Sequence, residues 1–156
     1  MKWIAVDYGE RRTGLAVCDA SELIVTPVTP QIEEKSLNKV AEAAAAARLA
    51  QGAEGVVCGL PLNMDGTEGS RCVKSRRFAA RLATACGVPV VLWDERRTTV
   101  TAAGILSANS TFGADRKARL DSVSAAVILE SFLAWRKAHP GEEPPEVAAP
   151  TAPEQA

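Results

Sequence analysis

The sequence predicts an α/β fold in which antiparallel strands come first and parallel strands later. Three short apolar runs lie close together near the amino terminus, and the rest of the chain alternates apolar runs with stretches of helical periodicity. A length of 156 residues with 47% hydrophobic side chains is enough for one domain with a buried core. The predicted order is three strands, a helix, a strand, a helix, a strand and two helices.

The first three strands are predicted over residues 3–8, 13–18 and 23–28. The first two are separated by a few residues that include Gly9, which is the spacing of a hairpin. The third run is short because Pro27 and Pro30 lie at its end, and proline interrupts the hydrogen-bond ladder of a strand. An antiparallel meander is therefore expected at the start of the chain.

The rest of the domain reads as helices alternating with buried strands. A helix starting at Leu37 should end at Gly52, because apolar residues recur at helical spacing over an alanine-rich run. Strands are predicted at 56–58 and 88–93, and further helices at 69–86, 98–107 and 120–137. The last 17 residues, 140–156, contain five of the nine prolines, four glutamates and no basic residue. This composition predicts a disordered acidic tail after a domain spanning residues 1–139.

The amino-terminal apolar run is too short for a secretory signal, and no uncharged run is apolar enough for a membrane span. A cytoplasmic protein without membrane contact is expected. The four cysteines show no close pairing and are expected to be small buried side chains.

Carboxylates follow two of the predicted strands directly. Asp7 ends the first strand, and Asp94 and Glu95 follow the last one. A carboxylate is costly to bury unless it is paired or binds a cation, and ligands of open α/β sheets bind at the carboxyl ends of the strands. A simple turn residue is the alternative interpretation of Asp7.

A third acid, Asp121, opens the last predicted helix on the face that carries Ala125 and Ile128. It could instead cap that helix. Three acids from separate segments could hold hard divalent cations such as Mg²⁺ or Mn²⁺ through oxygen ligands. No Ser-His pair and no phosphate-binding G-x-x-x-x-G-K-[ST] loop is present in the sequence, so a metal-assisted reaction is favoured.

The net charge of −1 conceals a strongly basic middle segment. Residues 69–119 carry ten basic and three acidic side chains, whereas residues 1–68 carry six basic and ten acidic ones. Basic residues beside carboxylates that need cations indicate a polyanionic substrate, although a solvated helix face is the alternative for residues 71–81. The basic side chains are Arg71, Lys74, Arg76, Arg77, Arg81, Arg96, Arg97, Arg116, Lys117 and Arg119.

Four motifs in one order resemble the YqgF/RuvX family over roughly residues 1–137. They are Asp7-x-Gly9-x-x-Arg12-x-Gly14-x-Ala16, Gly59-Leu60-Pro61-x-x-x-x-Gly66-x-x-Gly69, Asp94-Glu95-Arg96 and Asp121-x-x-x-Ala125-Ala126-x-Ile128-Leu129. Each motif is weak alone, but the four together are specific.

The resemblance implies an RNase H-like fold with a mixed five-stranded sheet flanked by helices. It also implies a bacterial cytoplasmic nuclease that processes the 5′ end of pre-16S rRNA, with a Holliday junction resolvase as the alternative activity. Asp7, Glu95 and Asp121 would be the catalytic acids and would hold two Mg²⁺ or Mn²⁺ ions. Asp94 stays an alternative ligand, because alternation along a strand lets only one of the neighbouring acids face Asp7.

The resemblance implies that Arg12 and Arg96 contact phosphate. The loop from Gly66 to Gly69 leads into a helix whose free N–H groups could bind phosphate, or it is a plain connection. The expected nucleic-acid contacts are Arg12, Gly66, Gly69, Arg71, Lys74, Arg77, Arg96 and Arg97.

The expected partner is structured RNA such as pre-rRNA, or branched DNA, bound by a monomer or a homodimer. The residues are also compatible with two other classes of function. One is a non-catalytic nucleic-acid-binding module. The other is phosphate transfer on ATP, because Asp7-x-Gly9 in a hairpin also resembles the phosphate loop of actin and sugar-kinase relatives; the presence of one copy of the fold disfavours it.

Overall fold

The structure, a computed structural model, describes residues 1–97 and 114–151, with backbone only for residues 114–122. A six-stranded mixed sheet has the strand order β3-β2-β1-β4-β5-β6. The strands are β1 (Trp3–Asp7), β2 (Arg12–Cys18), β3 (Val25–Glu33), β4 (Gly55–Leu60), β5 (Val90–Asp94) and β6 (Val147–Ala148). The helices are α1 (Leu37–Gln51), α2 (Ser70–Cys86) and α3 (Ala114–Ala138), and a 3₁₀ turn, Glu95–Arg97, follows β5.

The first three strands form the predicted antiparallel meander, and β4 and β5 add to it in parallel. The mixed α/β fold class is therefore confirmed. However, β3 is longer than predicted, because it continues through Pro27 and Pro30 to Glu33. It is the edge strand of the sheet, where one side of the backbone needs no partner and proline is tolerated.

Glycines end α1 and α2 where the sequence predicts, whereas the start of the last helix differs from the prediction. Ser36 caps α1 by accepting the N–H of Lys39, and Gly52 ends it in the left-handed conformation with φ 69°. Gly87 ends α2 in the same way, with φ 70°. The last helix spans Ala114–Ala138, so it begins six residues before the predicted start at residue 120. The predicted helix over residues 98–107 lies outside the described residues.

Two hydrophobic layers cover the two faces of the sheet. On one face, Ile4 and Val6 of β1 pack with Val40 of α1 and Phe78 of α2. On the other face, the side chains of α3, including Ile128 and Phe132, pack with alternate strand residues. Cys18, Cys58 and Cys72 are buried free thiols, as predicted, whereas the free thiol of Cys86 is only partly buried.

Residues 140–151 differ from the prediction of a disordered tail, and they add a sixth strand to the five that were predicted. Val147 and Ala148 form β6, which pairs antiparallel with Val90 and Val91 of β5. Glu146 forms an ion pair with Arg76 of α2 at 2.6 Å. Composition alone missed this strand because its partner is the open edge of β5, a tertiary feature that supplies unpaired N–H and C=O groups.

Within the described residues, no helix combines the length and the hydropathy that a membrane span requires.

Candidate active site

Asp7 and Glu95 lie on the same face of the sheet. In β1, Trp3 and Ala5 pack in the α3 layer, and alternation along the strand directs Asp7 to that side. In β5, Val91 and Trp93 pack in the same layer, whereas Leu92 packs in the opposite one. Glu95 therefore follows on the side of Asp7, and the two carboxylates repel each other electrostatically.

Gly59 of β4 makes room for the Glu95 side chain between the two strands. Cys58 pairs with Val6 of β1, and Gly59 pairs with Trp93 of β5. A Cβ atom on Gly59 would lie 2.9 Å from Cδ of Glu95 and 2.6 Å from Cδ1 of Ile128. Both distances are shorter than real carbon contacts, so the glycine allows α3 and Glu95 to approach the sheet this closely.

The protonation of both acids is shifted by burial. Burial is the main cause that raises the pKa of Asp7, and the charge of Arg71 and a hydrogen bond with Ser124 oppose it. Burial, followed by the charge of Asp7, raises the pKa of Glu95 to about 7, with Arg71 again opposing. Two partly buried carboxylates in one place, with limited positive charge nearby, form a site that attracts a cation.

Arg71 is positioned beside both acids by the packing of α2. It lies in the first turn of that helix, and the helix is held against the end of β1 by Tyr8, whose ring stacks on Phe78 with centroids 4.3 Å apart. The charge of Arg71 lowers the pKa of both Asp7 and Glu95. A guanidinium group, which commonly binds phosphate in proteins, therefore lies near the two carboxylates.

Ser124 is a site residue that the sequence reasoning did not identify. It lies on α3 and forms a side-chain hydrogen bond with Asp7. Its only signal in the sequence is its place in a small-residue stretch with Ala125 and Ala126, which indicates close approach of the helix but not a partner. The contact became visible only once α3 was packed against β1.

Asp94 is directed away from the pair and is held by Arg96. Oδ2 of Asp94 lies 2.7 Å from Nη2 of Arg96, and Nε of Arg96 donates to both carboxylate oxygens at 3.0 and 3.1 Å. Burial alone would raise the pKa of Asp94, but these bonds and the charge of Arg96 lower it overall. Of the two neighbouring acids, Glu95 is thus the one beside Asp7.

The third expected acid, Asp121, belongs to α3 one helical turn before Ser124. Its side chain lies outside the described residues. Among the side chains that the structure describes, no group of three or more potential ligands comes together. Asp7 and Glu95 are the two described members of the predicted acid set.

The basic residues of α2 extend from the site along the helix. Lys74 forms an ion pair with Glu10 of the β1–β2 turn at 2.6 Å, and Arg77 is exposed. Gly69 occupies the N-cap of α2, and no side chain caps the helix there. The first N–H groups of α2, next to Arg71, are therefore available to an anion.

Two of the other arginines expected to contact nucleic acid interact with side chains of the protein itself. Arg12 lies 3.8 Å from Glu33 in an exposed ion pair, and Arg97 lies over the ring of Trp93 at 5.0 Å. Gly66 has φ 87° in the turn after β4, which explains why glycine occupies this position.

Comparison with known sequences connects this chain to described bacterial proteins. A family model described as "RuvX: Holliday junction resolvase" matches residues 1–135. A protein of Syntrophus aciditrophicus named "Putative pre-16S rRNA nuclease" is 41% identical over 133 residues, covering 85% of this chain and 88% of the relative. A protein of Myxococcus xanthus with the same name is 42% identical over 135 residues, covering 85% of this chain and 87% of the relative.

Solved structures agree with the fold. The structure titled "T. thermophilus RuvC in complex with Holliday junction substrate" superposes with a TM-score of 0.58 at 13% identity, covering 89% of this chain and 97% of that chain. Another structure of Thermus thermophilus RuvC gives a TM-score of 0.55 at 14% identity, covering 88% and 97%. The sheet and its helices therefore have the fold of these RuvC proteins. The family model and the relatives, which match most of its sequence, show that the chain belongs to the RuvX family.

Proposed function

We propose that this protein is a divalent-metal-dependent nuclease that cleaves phosphodiesters of structured RNA, and that its substrate is the 5′ end of pre-16S rRNA. The observation that carries the proposal is the meeting of Asp7 and Glu95, two partly buried carboxylates with raised pKa values, near the charge of Arg71. The names of the relatives from Syntrophus and Myxococcus support the choice of substrate. The reaction is expected in the cytoplasm, where ribosomal RNA is made.

The donor set fits a hard divalent cation such as Mg²⁺ or Mn²⁺. Asp7 and Glu95 supply carboxylate oxygens, and their burial and mutual repulsion are relieved by positive charge between them. Asp121 is proposed as the third ligand, because it lies one helical turn before Ser124, the residue that bonds Asp7. When bound, such cations lower the pKa of a water molecule and stabilise negative charge on a phosphate.

The protein's own residues would orient the acids and hold the substrate. The hydrogen bond with Ser124 limits the rotation of the Asp7 carboxylate, and the missing Cβ of Gly59 keeps Glu95 close to the sheet. Arg71 and the uncapped start of α2 would bind the phosphate that is cleaved or its neighbour. This division of roles requires no histidine or nucleophilic side chain.

The other basic residues would follow the nucleic-acid backbone away from the acids. Lys74 and Arg77 continue along α2, and Arg12 and Arg97 flank the ends of β2 and β5. Arg96 is assigned a positioning role, because its guanidinium is occupied by Asp94. Binding by such contacts should weaken steeply as the salt concentration rises.

A second candidate function is resolution of four-way DNA junctions, which the description of the RuvX family favours. Cleavage of a symmetric junction needs two active sites, so this activity would require a homodimer, whereas cleavage of rRNA could be carried out by a monomer.

The decisive experiment compares cleavage of a pre-16S rRNA fragment and a four-way DNA junction by the parent protein and single variants, in Mg²⁺ and in Mn²⁺. We expect Asp7→Asn and Glu95→Gln to reduce cleavage to background while their circular dichroism spectra stay unchanged. Asp94→Asn should still cleave, because the carboxylate of Asp94 is held by Arg96. Glu42→Gln on the exposed face of α1 is the surface control.

The outcomes separate the candidate functions. Preference for the rRNA fragment supports the proposal, and preference for the junction together with a dimer in solution supports the resolvase. Salt-dependent binding without cleavage by the parent would instead indicate a non-catalytic binding module. Equal cleavage by Asp7→Asn and the parent would exclude this acid pair as the reaction centre.

A further inference from the structure

The turn between β4 and α2 carries a large apolar side chain in solvent. Met64 is 84% exposed, the highest value among the large hydrophobic side chains that the structure describes. Single exposed apolar residues are common on protein surfaces, so exposure alone has no functional meaning. Two further features distinguish Met64. Hydrogen bonds hold its turn in one conformation, and Arg96 joins that turn to the acid site.

Hydrogen bonds within the turn hold Met64 in position. The backbone N–H of Asn63 donates to the carbonyl of Thr67 at 2.9 Å, and the N–H of Gly66 donates to the carbonyl of Asn63 at 2.8 Å. The carboxylate of Asp65 accepts the backbone N–H of Thr67 at 2.9 Å and its hydroxyl at 2.6 Å. The turn is therefore ordered before any ligand binds, and little conformational entropy is lost when Met64 makes a contact.

A second set of contacts joins this turn to the acid site. Arg96, the residue after Glu95, donates from Nη1 to the carbonyl oxygen of Met64 at 3.4 Å. The same guanidinium is held by Asp94 and lies near the charge of Asp65. The turn that carries Met64 is thus joined through Arg96 to the segment that carries Glu95, and the acidic side chains of Asp65 and Asp94 lie near that arginine.

We propose that Met64 is a wedge that inserts at an opened base step of the nucleic acid while the acids bind the backbone nearby. Its thioether chain is unbranched and adapts to an irregular gap, and methionine is among the apolar side chains that proteins insert between base steps of duplex DNA. This inference rests on the proposed function and narrows it to a substrate class, paired RNA with a weakened step such as a helix junction or bulge.

The test measures base unstacking and affinity separately from cleavage. The probe is a synthetic RNA helix with a junction and 2-aminopurine at each of the steps flanking it, and all proteins carry Asp7→Asn so that the probe stays intact. The parent background should raise the fluorescence at one step. Met64→Ala should abolish that rise and weaken binding about five- to twentyfold, since the unstacked base loses its contact.

Three controls make the result specific. Met64→Leu should restore the fluorescence rise, because it keeps an apolar side chain of similar size. Leu49→Ala removes a side chain that is 74% exposed on α1 and should change nothing. Affinity for the same sequence as a single strand should be equal for Met64→Ala and the background, because a single strand has no paired step to open.

The possible failures of the inference and of the proposed function look different. If the parent cleaves the RNA but Met64→Ala matches the background protein in fluorescence and affinity, the proposed role of Met64 is wrong. The proposed nuclease function is then unaffected. If the parent neither binds nor cleaves any of the structured probes, the proposed function is wrong and the wedge is wrong with it.

Discussion

Replacing Glu95 by glutamine should change how the stability of the fold depends on pH. Burial and the negative charge of Asp7 raise the pKa of Glu95 from 4.5 to about 7 in the folded protein. The folded state therefore holds this proton more tightly than the unfolded chain does. The resulting stabilisation is fully present below pH 4.5 and is lost as the pH rises through 7.

The size of the effect follows from the pKa difference. One pKa unit corresponds to about 1.4 kcal/mol, so the full shift is worth about 3 kcal/mol, most of which falls between pH 5 and pH 8. Because the Glu95 side chain is partly exposed, solvent reduces this value, and we expect about 1–2.5 kcal/mol. Glutamine does not titrate. The free energy of unfolding of Glu95→Gln, relative to that of the parent, should therefore be higher at pH 8 than at pH 5 by about 1–2.5 kcal/mol.

Urea unfolding at pH 5, 6, 7 and 8, with a chelator to remove divalent cations, measures this difference directly. Glu42→Gln on the exposed face of α1 should show a constant offset from the parent across the range. Asp7→Asn should also flatten the dependence, because it removes a charge that raises the pKa of Glu95. A difference between Glu95→Gln and the parent that stays constant from pH 5 to pH 8 would refute the burial of Glu95 and its electrostatic repulsion by Asp7.

Two further variants test the packing around the site. Gly59→Ala would place Cβ 2.6 Å from Ile128, so it should lower the free energy of unfolding in urea by about 1–3 kcal/mol and reduce cleavage. Gly69→Ala, whose Cβ would lie 3.7 Å from Asn63, is the control for stability. Equal stability of the two variants would argue against the tight contact at Gly59. Arg76→Ala removes the ion pair with Glu146. Hydrogen exchange at the amide of Leu92, which donates to the carbonyl of Glu146, should therefore become faster. Unchanged exchange would mean that β6 is held in place without this ion pair.

The amino-acid pattern was enough to predict most elements of the fold. Apolar runs of strand length, alanine-rich helical periodicity and glycines such as Gly52 and Gly87 are local signals, and their physical effects act over a few residues. Strand β6 was missed because its two residues are stabilised by the edge of β5 and by Arg76, which are distant in sequence. The length of β3 was underestimated because the tolerance for Pro27 depends on its being an edge strand.

The sequence by itself determined which residue types could carry the chemistry: acids after two strands, an acid in the last helix and a basic middle segment. It left open whether Asp94 or Glu95 accompanies Asp7, since both follow the same strand. Only the tertiary structure decided which acid lies beside Asp7, because the choice depends on the face that α3 covers and on the partner, Arg96, that holds Asp94. The contact of Ser124 with Asp7 and the space left by Gly59 likewise arise from packing between elements, which no local pattern encodes.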